Sequence, residues 1–235
     1  MSEPFIANSQ RFFNSEMIEI ESAICPLCET KEANNFFQDK RRSYFRCRTC
    51  ELAFVPPIYF LSADEEKAKY DMHQNSPTHP GYRRFLGRIL GPMRERLAPE
   101  SHGLDFGSGP GPTLSVMFEE IGYTMTLYDH FYANEPAALK RQYDFITATE
   151  VVEHLRHPRK ELGRIWACLK KGGSLGVMTK LALGLEEFAG WHYKNDLTHV
   201  NFFSRRTFEW LADQWHANLT FANKDVILFC KKNDM

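Results

Sequence analysis

Four cysteines stand in two close pairs, Cys25-Pro-Leu-Cys28 and Cys47-Arg-Thr-Cys50, with 18 residues between the pairs. Two C-x-x-C turns at this spacing can present four thiolates to one tetrahedral zinc ion. A redox dithiol would call for one such pair beside a βαβ unit rather than two in a ribbon. With four protein ligands the ion keeps no open position, so it holds structure and performs no chemistry. A second concentration of chemistry is the turn Gly107-Ser-Gly-Pro-Gly111, which follows a strand-like run containing Asp105. Glycines let backbone N–H groups come close to a ligand, and the N-terminus of the following helix offers positive potential. The third glycine is one place early for the G-x-G-x-x-G of a diphosphate site. Asp105 at the loop entrance repels phosphate but can accept hydrogen bonds from an ammonium group. Asp129, 18 residues beyond Gly111, is near the spacing at which an acid takes ribose hydroxyls. A zwitterionic nucleoside is the ligand these features describe.

The elements that must position these groups follow from periodicity. Ser43 to Cys47 and Leu52 to Val55 have strand-like content, and Pro56-Pro57 closes the ribbon. Ser62-Ala-Asp-Glu65 has the form of a capping box and predicts a short helix to about Tyr70. Asp71 to Gly81 is too rich in turn formers to be regular. Phe85, Leu86, Ile89, Leu90 and Met93 then recur at helical spacing, with Gly91-Pro92 bending or ending the helix. From about residue 99 strands alternate with helices, the mark of a parallel sheet covered on both faces. The predicted strands are His102 to Phe106, Thr124 to Tyr128, Asp144 to Thr149 and Ser174 to Thr179. A helix with Pro112 in its first position follows the glycine turn. Leu162 to Leu169 and Phe208 to Trp215 stripe two more helices, and Leu219 to Phe221 with Val226 to Cys230 predict a terminal antiparallel hairpin. Residues 1 to about 20 lack periodicity and read as a loose arm.

Across 235 residues, Lys and Arg total 29 against 30 for Asp and Glu. A net charge of -1 supplies no general field for nucleic acid or an anionic membrane. The longest apolar runs, such as Val226 to Cys230, are far short of the roughly 20 residues a bilayer span needs. No leader is evident at Met1-Ser-Glu-Pro, so the expectation is a cytoplasmic chain without a membrane partner.

Asp105-Phe-Gly-Ser-Gly-Pro-Gly111, Asp129, Asp144-Phe-Ile-Thr-Ala-Thr-Glu-Val-Val-Glu-His154 and Leu169-Lys-Lys-Gly-Gly173 resemble successive motifs of the class I S-adenosylmethionine-dependent methyltransferases. More narrowly, the ribbon, the Tyr70 to Tyr82 loop and the Trp191 to Phe203 stretch resemble bacterial members that carry an N-terminal zinc ribbon. The resemblance implies an α/β, Rossmann-like methyltransferase sheet with an antiparallel C-terminal hairpin, plus a small zinc ribbon and a helical lid. The corresponding divisions are 1–60 for arm and ribbon, 61–98 for linker and lid, and 99–235 for the methyltransferase domain. It further implies S-adenosylmethionine as cofactor beside the structural zinc on Cys25, Cys28, Cys47 and Cys50. The backbone of Gly107, Ser108, Gly109 and Gly111 would lie along the methionine part, with Asp105 near its amino group. Asp129 would hold the ribose, and His130 or Phe131 would lie against adenine. Thr149 and Glu150 would face the transfer side. The chain departs from the family between Asp129 and Asp144, where a third strand does not fit.

Methyl transfer gains much from positioning alone, and a hydroxyl acceptor adds the need for a base. The candidates are Glu150, His154 and His199. Each has a plain alternative: Glu150 as an anchor for the cofactor or an amide, His154 as a helix-start residue, and His199 packed beneath an Asp196–Thr198 loop. Asp105 could likewise cap the glycine loop and Asp129 be a turn aspartate. Trp191, His192 and Tyr193 enrich the same connector. The favoured function is methylation of a small-molecule or saccharide acceptor under the Asp71 to Gly81 loop. One alternative is an RNA methyltransferase gripping substrate through Lys40, Arg41, Arg42, Arg46 and Arg48 with Tyr44 and Phe45. Another is a non-catalytic adaptor. Oligomeric state is not legible.

Overall fold

Residues 23–72 and 75–233 are described by the structure, a computed structural model; the expected N-terminal arm lies outside them. The cysteine pairs flank an antiparallel ribbon. β1 (Ala33–Gln38) and β2 (Ser43–Cys47) are joined by a turn. There the Asp39 carboxylate accepts from the backbone N–H of Arg41 at 2.8 Å and of Arg42 at 3.1 Å, the local bonding that suits Asp to turns. β3 (Ala53–Phe54) pairs with β2, Phe45 opposite Phe54.

α1 (Ala63–Tyr70) starts at the capping box foreseen from sequence, Ser62 and Glu65 each accepting from the other's backbone N–H. None of its residues is buried, so polar ties hold it down. Arg156 donates to Glu66 at 2.6 Å and to the Leu61 carbonyl at 2.7 Å, and the Tyr132 hydroxyl donates to Asp71 at 2.6 Å. α2 (Pro80–Arg94) behaves differently. It buries Leu86, Ile89 and Met93 against the large sheet, where a Cβ added to Gly176 would come 2.7 Å from Met93 Sδ. Pro92 lies inside this helix, which runs on to Arg94 instead of ending.

The alternation then unfolds as β4 (His102–Phe106), α3 (Thr113–Glu119), β5 (Thr124–Tyr128), β6 (Tyr143–Thr149), α4 (Pro158–Ala167), β7 (Leu169–Met178), α5 (Leu185–Gly190), β8 (Asn201–Phe202), α6 (Arg205–Trp215), β9 (Asn218–Phe221) and β10 (Val226–Cys230). Pro112 precedes α3 as its N-cap, one place earlier than the sequence suggests. β7 already begins at Leu169, ahead of the strand start expected at Ser174. The large sheet has the order β5-β4-β6-β7-β10-β9. β4, β5, β6 and β7 run parallel, while β10 is antiparallel to both β7 and β9. β5 forms one edge, and only a 3-10 turn, Pro136–Lys140, lies between it and β6, as the short spacing requires. The chain leaves β4 toward β5 and returns on the other side at β6. Crevices at such a switch point, beyond the carboxyl ends of the strands, are where open α/β sheets bind ligands.

Sequence periodicity misses β8. It pairs with β3, Ala53 opposite Phe202, so the ribbon sheet takes the order β1-β2-β3-β8 and is sewn to the connector after β7. Tyr44, Phe188 and Phe202 are buried together in that joint. No helix among the described residues is long and apolar enough to cross a membrane.

Candidate active site

A cavity of about 800 Å³ opens at the carboxyl ends of β4, β5 and β6 and is roofed by α1 and the following loop. That volume lies within the range of small-molecule sites. One wall is the glycine turn. Gly107 and Gly109 have φ of +76° and +64°, in the left-handed region that favours glycine. A Cβ on Gly107 would strike Val151 at 2.4 Å, whereas one on Gly109 would meet nothing within 4 Å, because that residue faces the cavity. Ser108 also lines it, and its buried hydroxyl has no partner. Asp129 ties the turn to the end of β5. Its carboxylate accepts from Gly109 N–H at 2.9 Å, Phe131 N–H at 2.8 Å and Tyr132 N–H at 3.1 Å. It is therefore a turn-organising aspartate whose edge still faces the cavity, with His130 and Phe131 beside it.

Two residues expected at the cofactor stand just outside the cavity wall. Asp105 is 4% exposed and lies beneath the turn, accepting from the Thr147 hydroxyl at 2.8 Å and the Ser115 hydroxyl at 3.0 Å. Burial pushes its carboxyl up to about 6 despite those bonds. Gly111 is pressed under the roof, where a Cβ would come 1.9 Å from the Asn75 carbonyl oxygen. Its bareness admits the roof.

The opposite wall grows from the end of β6. Thr149 and Glu150 line the cavity, and the Thr149 hydroxyl is a further buried group without a partner. Glu150 adopts φ of +53°, a strained setting for a non-glycine residue that marks functional turns. Its N–H is fixed on the Met178 carbonyl at 2.8 Å. Burial, reinforced by the nearby Glu153 charge, raises its carboxyl to about 8. His154 and His199 both line the cavity, their rings 4.7 Å apart. Burial lowers the basicity of both imidazoles, and the neighbouring His154 adds to the effect on His199, which falls to about 3.

Sequence reasoning missed Glu153 and the part played by Tyr193. Glu153 is 0% exposed, and burial raises its carboxyl to about 7. The Tyr193 hydroxyl donates to Glu153 and lies 3.4 Å from Glu150 and 3.3 Å from Thr179. The signal for Glu153 was its place three residues after Glu150 and next to His154; for Tyr193 there was none beyond the aromatic density of its segment.

The segment carrying Tyr193 and His199 is fastened from two sides. Val200 N–H donates to the Glu153 carbonyl at 2.8 Å, and the Asn201 amide donates to the Leu155 carbonyl at 2.5 Å. Thr198 donates to Asp196 through both its N–H at 2.9 Å and its hydroxyl at 2.7 Å, the loop arrangement expected from sequence. From the ribbon, the buried Arg42 guanidinium donates to the carbonyls of Lys194, Asp196 and Leu197 at 2.5, 2.9 and 3.3 Å. Of the basic patch that could have gripped RNA, Arg42 is spent inside the protein, while Lys40, Arg41 and Arg48 stay exposed. Arg41 bonds Asn195, Arg46 pairs with Glu51 at 2.7 Å, and Tyr44 and Phe45 are buried rather than displayed for stacking.

The cysteine sulfurs converge as their spacing predicts. Cys25 and Cys50 lie 3.5 Å apart, Cys28 and Cys47 3.3 Å, and all four sulfurs fall within 4.8 Å of one another. A tetrahedral zinc with bonds of ~2.3 Å needs sulfur separations of roughly 3.8 Å. The four side chains fit such an ion with small adjustment.

A twisted parallel sheet with a glycine turn at its switch point and an antiparallel C-terminal hairpin is the class I S-adenosylmethionine-dependent methyltransferase architecture. The sequence model of the family described as "Methyltransferase domain" matches residues 79–221, and the chain belongs to that family as a methyltransferase dependent on S-adenosylmethionine. Among solved structures, it is similar to the 1,6-didemethyltoxoflavin-N1-methyltransferase of Burkholderia thailandensis. The identity is 16%, covering 86% of this chain and 100% of that one, with a TM-score of 0.48. It is also similar to a Thermotoga maritima SAM-dependent methyltransferase, a possible histamine N-methyltransferase. That match has 16% identity, 65% and 95% coverage and a TM-score of 0.42. No curated protein sequence matches the chain.

Proposed function

We propose that the chain methylates a hydroxyl of a small-molecule or saccharide acceptor, with the cofactor against the glycine turn and the acceptor against Glu150. The carrying observation is that the side-chain-free face of Gly109, Asp129 at the end of β5 and the strained Glu150 at the end of β6 line one cavity together. Backbone amides of a glycine turn at the switch point of an open α/β sheet are a setting for a polar ligand. Gly107, Ser108 and Gly109 would hold the methionine part of the cofactor, Asp129 the ribose, and His130 and Phe131 the adenine. Asp105 supports the turn from beneath. S-adenosylmethionine, when bound, supplies an activated methyl group on a sulfonium.

The chain's own residues then have three tasks. The roof of α1 and Asn75 excludes water. The strained turn at Glu150 points a carboxylate into the cavity, where it takes the acceptor's hydroxyl proton. A carboxyl raised by burial remains a useful base near neutral pH. His199 and His154, held neutral and weakly basic, are positioned for other work. Zinc on Cys25, Cys28, Cys47 and Cys50 would lock the ribbon whose Arg42 shapes the Lys194 to His199 segment. A small acceptor is favoured over RNA because Arg42, Tyr44 and Phe45 of the ribbon are buried and the cavity is roofed.

The test is calorimetry with S-adenosylhomocysteine, followed by methyl-transfer assays against hydroxyl-bearing small molecules and bulk RNA. One S-adenosylhomocysteine per chain and transfer to hydroxyl compounds are expected. Absence of binding would remove the reading, and transfer only to RNA would replace its acceptor.

A further inference from the structure

Glu153, His154 and His199 come together although they arrive from two segments more than forty residues apart in sequence. One ligand atom from each lies within 4.8 Å of the others. The hydrogen bonds of the two rings fix which nitrogen is available. His154 Nδ1 is 3.2 Å from the Thr198 carbonyl oxygen, and His199 Nδ1 is 2.7 Å from the Tyr193 carbonyl oxygen. A carbonyl oxygen only accepts, so both Nδ1 atoms carry the proton and both neutral rings present an Nε2 lone pair. Imidazoles that ligate metals are oriented in this way, through the other ring nitrogen on a backbone carbonyl or a carboxylate. An independent observation comes from the third residue. Glu153 is 0% exposed, one carboxylate oxygen accepts from Tyr193, and Oε2 has no hydrogen-bond partner. A wholly buried carboxylate oxygen left unpaired carries a large desolvation cost unless something cationic meets it.

We propose that Glu153, His154 and His199 form a divalent metal site at the acceptor end of the cavity. Two imidazole nitrogens and one carboxylate suit a first-row transition cation better than magnesium or calcium, which take oxygen ligands. Three protein ligands leave open positions, and because His154 and His199 line the cavity those positions face it. Oxygen donors of the acceptor would occupy them, which selects acceptors with a hydroxyl, or two adjacent oxygens, able to reach the ion. The acceptor role rests on the function proposed above; the binding of the cation does not.

Metal counting on the purified full chain decides the matter. After equilibration with cobalt(II) and removal of the excess, the wild type should carry one ion beyond that of the cysteine cluster. The additional ion should show weak ligand-field absorption, without the intense thiolate charge-transfer bands of a cysteine site. Asparagine keeps a donor where Nδ1 stood but has no counterpart of Nε2, so His199→Asn and His154→Asn retain the backbone bonds and delete the ligands. Each of these, and Glu153→Gln, should bind the additional cobalt at least tenfold more weakly, the order of loss seen even for outer-shell changes. Cys28→Ser, which leaves three thiolates in the cluster, should weaken the thiolate bands in proportion and leave the weak bands of the other ion in place. If Glu153→Gln fails to fold, the two asparagine variants still decide. A wild type that takes up no second ion at millimolar cobalt overturns the proposal, and so does undiminished binding in both asparagine variants. Calorimetry with S-adenosylhomocysteine on the same samples tests the cofactor reading separately, since that ligand does not touch the metal count.

Discussion

The two walls of the cavity are built in opposite ways. The glycine-turn wall is one contiguous stretch, β4, turn, α3 and β5, tied mostly within itself and supported from β6 by Thr147 beneath Asp105. Asp129 on Gly109, Phe131 and Tyr132 is the example. The Glu150–His199 wall is assembled from three remote pieces: the end of β6, the connector after β7, and the ribbon that reaches across through Arg42 and β3. Local walls suit a ligand that never changes, and an assembled wall can vary its acceptor without disturbing the cofactor side. The ribbon is accordingly part of the enzyme's active-site scaffold in this account.

Substitutions should separate the walls. Glu150→Gln carries the largest expected effect, a fall in kcat of about 10²- to 10⁴-fold as for loss of a general base, with affinity for S-adenosylhomocysteine within threefold. Steady-state kinetics and calorimetry read the two sides independently; a large loss of cofactor affinity instead would merge the walls.

Asp105, in the foundation of the local wall, makes a prediction about pH. Its folded pKa of about 6 lies above the ordinary 3.8. The folded state therefore keeps a proton that the unfolded chain has released, and stability falls as pH rises between those values, flat beyond them. At ~1.4 kcal/mol per pH unit the loss is about 3 kcal/mol. Thermal or denaturant unfolding of wild type and Asp105→Asn should diverge by this amount across that window, the variant being relatively favoured at the higher pH. Parallel curves would show that Asp105 does not hold its proton there.

Arg42→Met leaves three carbonyls of the Lys194 to Leu197 stretch without their donor. We expect a loss of roughly 2 kcal/mol in unfolding free energy and a lower kcat with cofactor affinity retained, because only the assembled wall loosens. The smallest effect belongs to Gly111→Ala. Its Cβ would displace Asn75 and lift the roof, weakening S-adenosylhomocysteine by about tenfold, or ~1.4 kcal/mol, with little change in thermal stability.

How much could be read from sequence follows the same division. The capping box at Ser62, the strand–glycine turn–helix unit, the terminal hairpin and the shortened stretch after Asp129 are local patterns, and the structure carries each of them. β8 has only two residues and exists because β3 is beside it, so periodicity could not reveal it. Glu153 reads as a surface acid until its neighbours bury it. Arg42 reads as part of a nucleic-acid patch until three remote carbonyls claim it. Asp105 and Gly111 stand outside the cavity lining, a placement that spacing along a chain does not reveal.

The central claim is that the cofactor lies against Gly107, Ser108 and Gly109 with its transferable end toward Glu150. A crystal structure of the chain with S-adenosylhomocysteine measures this directly. The account predicts density along that turn, against the bare face of Gly109, with the sulfur on the Glu150 side of the cavity. Ligand bound elsewhere, or a turn closed by its own side chains with the cavity empty, would contradict it.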